Sequence, residues 1–416
     1  MSTTELLPIT ETLSPDTPQD VVAAVKDCFE SETPVYAIGG GTSLGYGLPA
    51  KASGVGLSLG KLNRVVDYPA RDMTITVEAG ITMQALKATL AAERQQLPID
   101  VPHEDRATLG GVVATNFTGP RRYGYGNVRD YVIGVTAVDG RGTMFKGGGR
   151  VVKNVAGYDF CKLLTGSLGT LGVITQLTMK LKPLAERSAL VVCPLVDLEE
   201  AERILSTLAG SRATPSAIEL LDGPYWHDDP VLAEASARAD KIGVILVVGL
   251  EGTAVEVAWM LEEIAGDLRQ HNSDGHTVIE GDEAAGLWRR LAEFPAGEAA
   301  LTLKINVVPS AVTRMLSLVR EIDRDSAVEA QAGSGVLLVR FPTMPTEGIS
   351  RTVVGKLQPA AAAEHGHVVL LANPSAAEMT HQSVWGGSDA PYWLMTEVKR
   401  KFDPAGILNP ERFVYQ

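Results

Sequence analysis

No stretch of this chain stays apolar for the ~20 residues that a membrane-crossing helix needs. The opening residues, MSTTELLPITETLSPDTPQD, lack the basic start and the apolar core of a signal peptide. Cysteine is scarce: Cys28, Cys161 and Cys193 are widely spaced and odd in number. Three thiols cannot supply the four ligands of an iron–sulfur cluster, and such sparse use fits a reducing cytoplasm. Positive charge is in deficit, with 37 Lys and Arg against 50 Asp and Glu and a formal net charge of −13. That balance argues against nucleic acid or an anionic membrane surface as the main partner. The expectation is a soluble cytoplasmic protein whose 416 residues make two to three domains.

Glycine is what the chain has in quantity, and it is unevenly spread. The stretch AIGGGTSLGYG (37–47) places five glycines in eleven positions directly after the apolar run Val35-Tyr36. Glycine there permits either a tight turn or a close approach of backbone N–H groups to a phosphate. No lysine follows as in a P-loop, and the next element reads as a strand, so the dinucleotide pattern G-x-G-x-x-G before a helix fails too. Two further glycine segments follow, ATLGGVVATNFTGPRRYGYG (107–126) and GSLGTLGVIT (166–175). Three such segments in one domain point to an extended ligand lying against the backbone of several loops, and a dinucleotide has the right size.

Around these segments Thr17 and Pro18 predict the start of a helix over Gln19 to Glu30, with Val21, Val22, Val25 and Phe29 on one face. GVGLSL and MTITVEAG read as strands, and Thr82 caps a helix in MQALKATLAAE. From Ser188 the glycine loops thin out, and strands such as SALVVCPL, AIELLD, GVILVVGL, LTLKINVVP, VLLVRF and HVVLLANP alternate with helices. The expected division is a polar tail over 1–16 and a strand–helix domain over 17–185. An α+β domain of antiparallel strands with helices on one side follows over 186–380, and then a C-terminal segment over 381–416.

AIGGGTSLGYG, ATLGGVVATNFTGPRRYGYGNVRDYVIGV, VVKNVAGYDFCKLLTGSLGTLGVIT and FDPAGILNPERF closely resemble FAD-linked oxidases of the vanillyl-alcohol oxidase (PCMH) type. Within that family the chain is most similar to the FAD-binding E-type subunits of bacterial glycolate oxidases, with D-type subunits and D-lactate dehydrogenases more distant. The resemblance implies a PCMH-type FAD-binding domain of two subdomains over 17–185, an α+β cap domain, and a C-terminal segment that returns to the FAD domain. It also implies that Gly39, Gly40, Gly41, Thr42 and Ser43 wrap the FAD pyrophosphate. Thr108, Leu109, Gly110, Gly111, Ala114, Thr115 and Asn116 would line the ribityl and ring path. Gly119, Tyr123 and Gly124 would continue that path, Gly169 and Ile174 would approach the adenine half or the pyrophosphate, and Asn409 would lie near the flavin. Thr42 stands where relatives with covalent flavin often carry histidine, so the FAD is expected to be non-covalent.

Oxidising a small 2-hydroxy acid requires a cation for the carboxylate and a base for the hydroxyl proton. The candidates are His365, His367 and Arg290. The histidine–glycine–aspartate–glycine–asparagine stretch of catalytic relatives is reduced to His365-Gly366-His367, and no metal-ligand set is read. Where the family has GSEGTLG this chain has GSLGTLG, so Leu168 replaces a carboxylate. The implied function is the FAD-binding subunit of a glycolate oxidase complex, beside a sister FAD-containing catalytic subunit and an iron–sulfur subunit. Such a complex would be cytoplasmic or held at the inner membrane through those partners. The alternatives are a free-standing FAD-dependent D-2-hydroxy-acid dehydrogenase and a scaffold that has lost its ligand.

Overall fold

A computed structural model describes residues 6–149, 157–237, 243–271, 273, 275–387 and 392–413. The start of the tail and residues 151–156 of the third motif lie outside that set. The chain divides into two compact units. The first comprises 1–118, 127–184 and 389–416, and the second comprises 119–126 and 185–388.

The first unit contains two main sheets. A parallel three-stranded sheet runs in the order Ile9–Leu13, Gly54–Ser58, Val35–Ile38. The expected polar tail is therefore a strand over part of its length. Gly56 leaves room beside the Ile9 side chain, and Ile9 lies opposite Gly54. The helix Pro18–Glu30 is fixed at its start by a capping box. Asp20 N–H donates to Thr17 Oγ1 (3.2 Å), and Thr17 N–H donates to the Asp20 carboxylate (2.9 Å). Its buried face is Val21, Val25 and Cys28, with Val22 and Phe29 packed at the margin. An antiparallel five-stranded sheet runs Val65–Asp67, Thr74–Glu78, Val173–Lys180, Val132–Val138, Met144–Gly148.

The second unit is built on one antiparallel sheet of eight strands. Their order is Thr277–Glu280, Arg187–Leu195, Val244–Gly252, Ala217–Asp222, Ala327–Gln331, Val336–Phe341, Leu301–Asn306, His367–Ala372. Side chains alternate between its faces. Val191, Leu220, Val328, Leu337, Leu303 and Val368 point to a core shared with the helices Leu198–Ala209, Ala254–Arg269 and Val312–Ile322. Leu190, Leu221, Val247 and Leu338 point the other way, against Trp226, Leu232 and the helix Gly281–Glu293. The sheet thus carries helices on both faces rather than on one, because the strands beneath Trp226 and Trp288 are apolar on both sides. Residues 381–387 also differ from expectation. Thr380 caps the short helix His381–Trp385, whose Ser383, Val384 and Trp385 are buried within the second unit.

Candidate functional site

In the first unit, Val35–Ile38 ends at Gly39 and the chain turns through 39–46 without entering a helix. A Cβ on Gly39 would collide with Thr108 Oγ1, and one on Gly40 with the Arg106 carbonyl. Gly41 has φ +71°, a left-handed backbone that glycine adopts without strain. Among the described residues, the N–H groups of Gly39, Gly40, Gly41, Thr42 and Ser43 donate to no backbone acceptor. Consecutive free N–H groups on a partly buried loop form an anion cradle, which suits the pyrophosphate of a dinucleotide.

The second motif folds as the helix Leu109–Thr115, capped by Thr108, whose hydroxyl accepts from Gly111 N–H (3.3 Å). Leu109 is fully buried, and Gly110 fits closely against Ala79. Thr115 bonds back to the Gly111 carbonyl, and Asn116 ends the helix in a left-handed conformation at φ 52°. The third motif docks on that helix. Gly166 N–H donates to Val113 O and Leu168 N–H to Ala114 O, both at 2.9 Å. Asn409 Nδ2 donates to Leu168 O (2.7 Å), so its amide braces the third segment, and a Cβ on Gly169 would lie 2.8 Å from that nitrogen. Ile174 is buried in the strand Val173–Lys180. The structure therefore gathers the first and third glycine segments, residues 107–118 of the second, and Asn409 in one unit, and their tight backbone approaches and the free N–H groups of the first segment fit FAD.

Gly119, Tyr123 and Gly124 lie in the second unit. Gly124 N–H donates to Ser216 O (3.0 Å), and the Tyr123 ring fills the space above Gly333. Arg121 grips Glu251 (3.0 and 3.1 Å) and lies 4.0 Å over the Trp288 ring. Arg290 is engaged by Asp229 at 2.5 Å, the residue that caps the helix Pro230–Ala235. His365 is exposed in a left-handed turn at φ 55°.

His367 opens the strand His367–Ala372, where the sheet brings together polar residues that the sequence reading passed over. Glu219, Gln331, Val336, Asn306 and His367 form one cross-strand row, and Glu329, Leu338 and Lys304 form the next. Their strand neighbours face the helical core, so these side chains share the opposite face. Asn306 Nδ2 and His367 Nε2 are 3.2 Å apart. Burial pushes the Lys304 ammonium down to about 8, with the Arg122 charge adding to the effect. His367 is held below the ordinary imidazole value, first by desolvation and then by Lys304. Gln331 is 1% exposed, and among the described residues neither of its amide atoms has a hydrogen-bond partner. The face thus offers a cation, two amides and an imidazole, beside the buried carboxylates of Glu219 and Glu329. Its signal in sequence was a set of polar residues in the middle of apolar strands, Lys304 in LTLKIN and Glu219 in AIELLD.

Residues 11–148 match the family of FAD binding domains, and 184–347 with 387–413 match the C-terminal domain of FAD-linked oxidases. The chain is 25% identical to glycolate oxidase subunit GlcD of Bacillus subtilis, over 96% of this chain and 87% of that protein. It is 35% identical to GlcE of Escherichia coli over 51% of this chain and 60% of that protein. A D-lactate dehydrogenase of Anaerostipes hadrus is 35% identical over 59% of this chain, and the match spans about half (52%) of that relative. Among solved structures, p-cresol methylhydroxylase with substrate bound aligns over 96% of this chain and 88% of its own, with TM-score 0.71 and 17% identity. The chain therefore belongs to the FAD-linked oxidoreductases, combining a PCMH-type FAD-binding domain with a FAD-linked oxidase C-terminal domain, and its cofactor is FAD.

Proposed function

We propose that this chain oxidises a small 2-hydroxy acid, as the FAD-binding E-type subunit of a glycolate oxidase complex that converts glycolate to glyoxylate. The observation that carries the chemistry is the convergence of Lys304, Asn306 and His367 on one sheet face. Lys304 suits the carboxylate as a desolvated cation. Asn306 Nδ2 donates to His367 Nε2, which leaves the ring's proton on Nδ1, and His367, neutral through its lowered pKa, takes the hydroxyl proton at Nε2 as the substrate displaces that amide bond. FAD, held non-covalently by Gly39–Ser43 and the Thr108–Gly111 turn, supplies a two-electron oxidant when bound. The electrons then leave through an iron–sulfur partner beside a sister FAD-containing subunit. The local likeness to GlcE and the Leu168 replacement support this assignment.

A second reading, a free-standing D-2-hydroxy-acid dehydrogenase, is favoured by matches along nearly the whole chain. These are to GlcD and to a mitochondrial D-lactate dehydrogenase of Arabidopsis thaliana, which covers 96% of the chain at 27% identity. One anaerobic experiment separates the two. Glycolate or D-lactate is added to the purified FAD-loaded chain, alone and with its co-purified partners, and the visible flavin band is followed. Bleaching only with partners supports the complex, in which this chain oxidises substrate only when assembled, bleaching alone supports the free-standing enzyme, and no bleaching in either case overturns both.

A further inference from the structure

Arg412 is 7% exposed, and its guanidinium lies beside the first glycine segment rather than beside an acid. Its Nη2 donates to Leu44 O (2.6 Å) and Tyr46 O (2.7 Å), while Leu48 N–H donates to Arg412 O (3.3 Å). Among the described residues no carboxylate pairs with it. A buried charge without a counter-charge is costly unless an anion completes it.

The surrounding contacts close a ring. The first segment abuts Thr108 and Arg106 through Gly39 and Gly40, and the Thr108 helix holds the third segment through Val113 and Ala114. The third segment is held in turn by residues 399–409. Asn409 reaches Leu168 O, and the partly buried Lys399 donates to Thr170 O (2.8 Å) and Leu408 O (3.0 Å) while pairing with Asp403. Ile407 O accepts from Val35 N–H, and Val35 O accepts from Asn409 N–H, on the strand that launches the first segment. Arg412 is the link that returns the ring to that segment.

We propose that Arg412 is a positioning residue for FAD: it fixes the Leu44–Tyr46 carbonyls so that the Gly39–Ser43 N–H groups converge, and its charge favours the pyrophosphate. Bonds to these carbonyls turn the loop so that its oxygens face the guanidinium and its free N–H groups are left for the anion. The dinucleotide's negative charge offsets the buried cation.

The test is titration of the apo chain with FAD by flavin fluorescence, at several salt concentrations, for the unchanged protein, Arg412→Lys and Arg412→Gln. Thermal unfolding of each apo protein is measured in parallel. Arg412→Gln should weaken FAD binding at least tenfold and flatten its salt dependence. Arg412→Lys keeps the charge but not the fork, and should fall between with its salt dependence retained. FAD affinity unchanged in Arg412→Gln overturns the proposal. So does an Arg412→Lys apo protein that does not fold, because the residue would then hold the fold rather than the cofactor loop.

Discussion

Lys304 is charged for its task and buried against its preference, and the two facts have opposite signs in a measurement. Below about pH 8 it is the cation that a substrate carboxylate needs. His367 must be neutral to accept a proton, and its lowered pKa keeps it so through neutrality and below the usual imidazole range. We expect kcat/KM to rise through that depressed imidazole value on the acid side and to fall as pH passes about 8. Lys304→Met should remove the alkaline limb and lower kcat/KM by roughly 10- to 100-fold, the worth of one hydrogen bond to a charged group. The same substitution should stabilise the apo chain. The folded-state pKa of about 8 lies below the ordinary lysine value of 10.5, so between these pH values the unfolded chain binds more protons. Stability of the unchanged chain therefore rises with pH across that window, and a urea midpoint series at pH 8 to 10 should lose this slope in Lys304→Met.

The glycine segments were readable as elements because each needs a backbone that only glycine allows, and a run of such positions stands out in any sequence. Gly40→Ala tests the first of them. The new methyl would collide with the Arg106 carbonyl, which cannot move without the Thr108 cap, so FAD affinity should drop at least tenfold in a fluorescence titration. The sheet face was less legible. Its polar residues come from four strands far apart in sequence, and only pairing register makes neighbours of Gln331, Asn306 and His367. Arg121 escaped for a related reason, since its partners Glu251 and Trp288 lie well over a hundred residues away. Removing it leaves Glu251, 5% exposed at its side chain, without its guanidinium. Arg121→Ala should cost about 3–5 kcal/mol in chemical denaturation, as expected for a broken buried pair.

At the scale of the molecule, fold class and cofactor were legible because long motifs carry them, whereas the element boundaries were displaced where short segments change allegiance. Residues 119–126 look continuous with the second motif, yet Gly124 and Tyr123 pack in the other unit. The ITETL strand was hidden because its residues after Ile9 are exposed and read as tail. Each unit has its own apolar core, one around Val25, Leu57 and Leu408 and the other around Val191, Leu246 and Leu303. Calorimetry should therefore resolve a transition that moves up with added FAD, by about 2.7 kcal/mol of stabilisation at a hundredfold excess over Kd, and one that does not move.

The link from Arg412 to Leu44 joins residues 368 positions apart. On a ribosome adding roughly 5–20 residues per second, the first glycine segment waits on the order of tens of seconds for its last support. The cofactor site is therefore finished only after residue 412 has been added. Flavin loading becomes a step that waits for Arg412, and a polypeptide that stops short of it is left without the contacts that shape its cofactor loop.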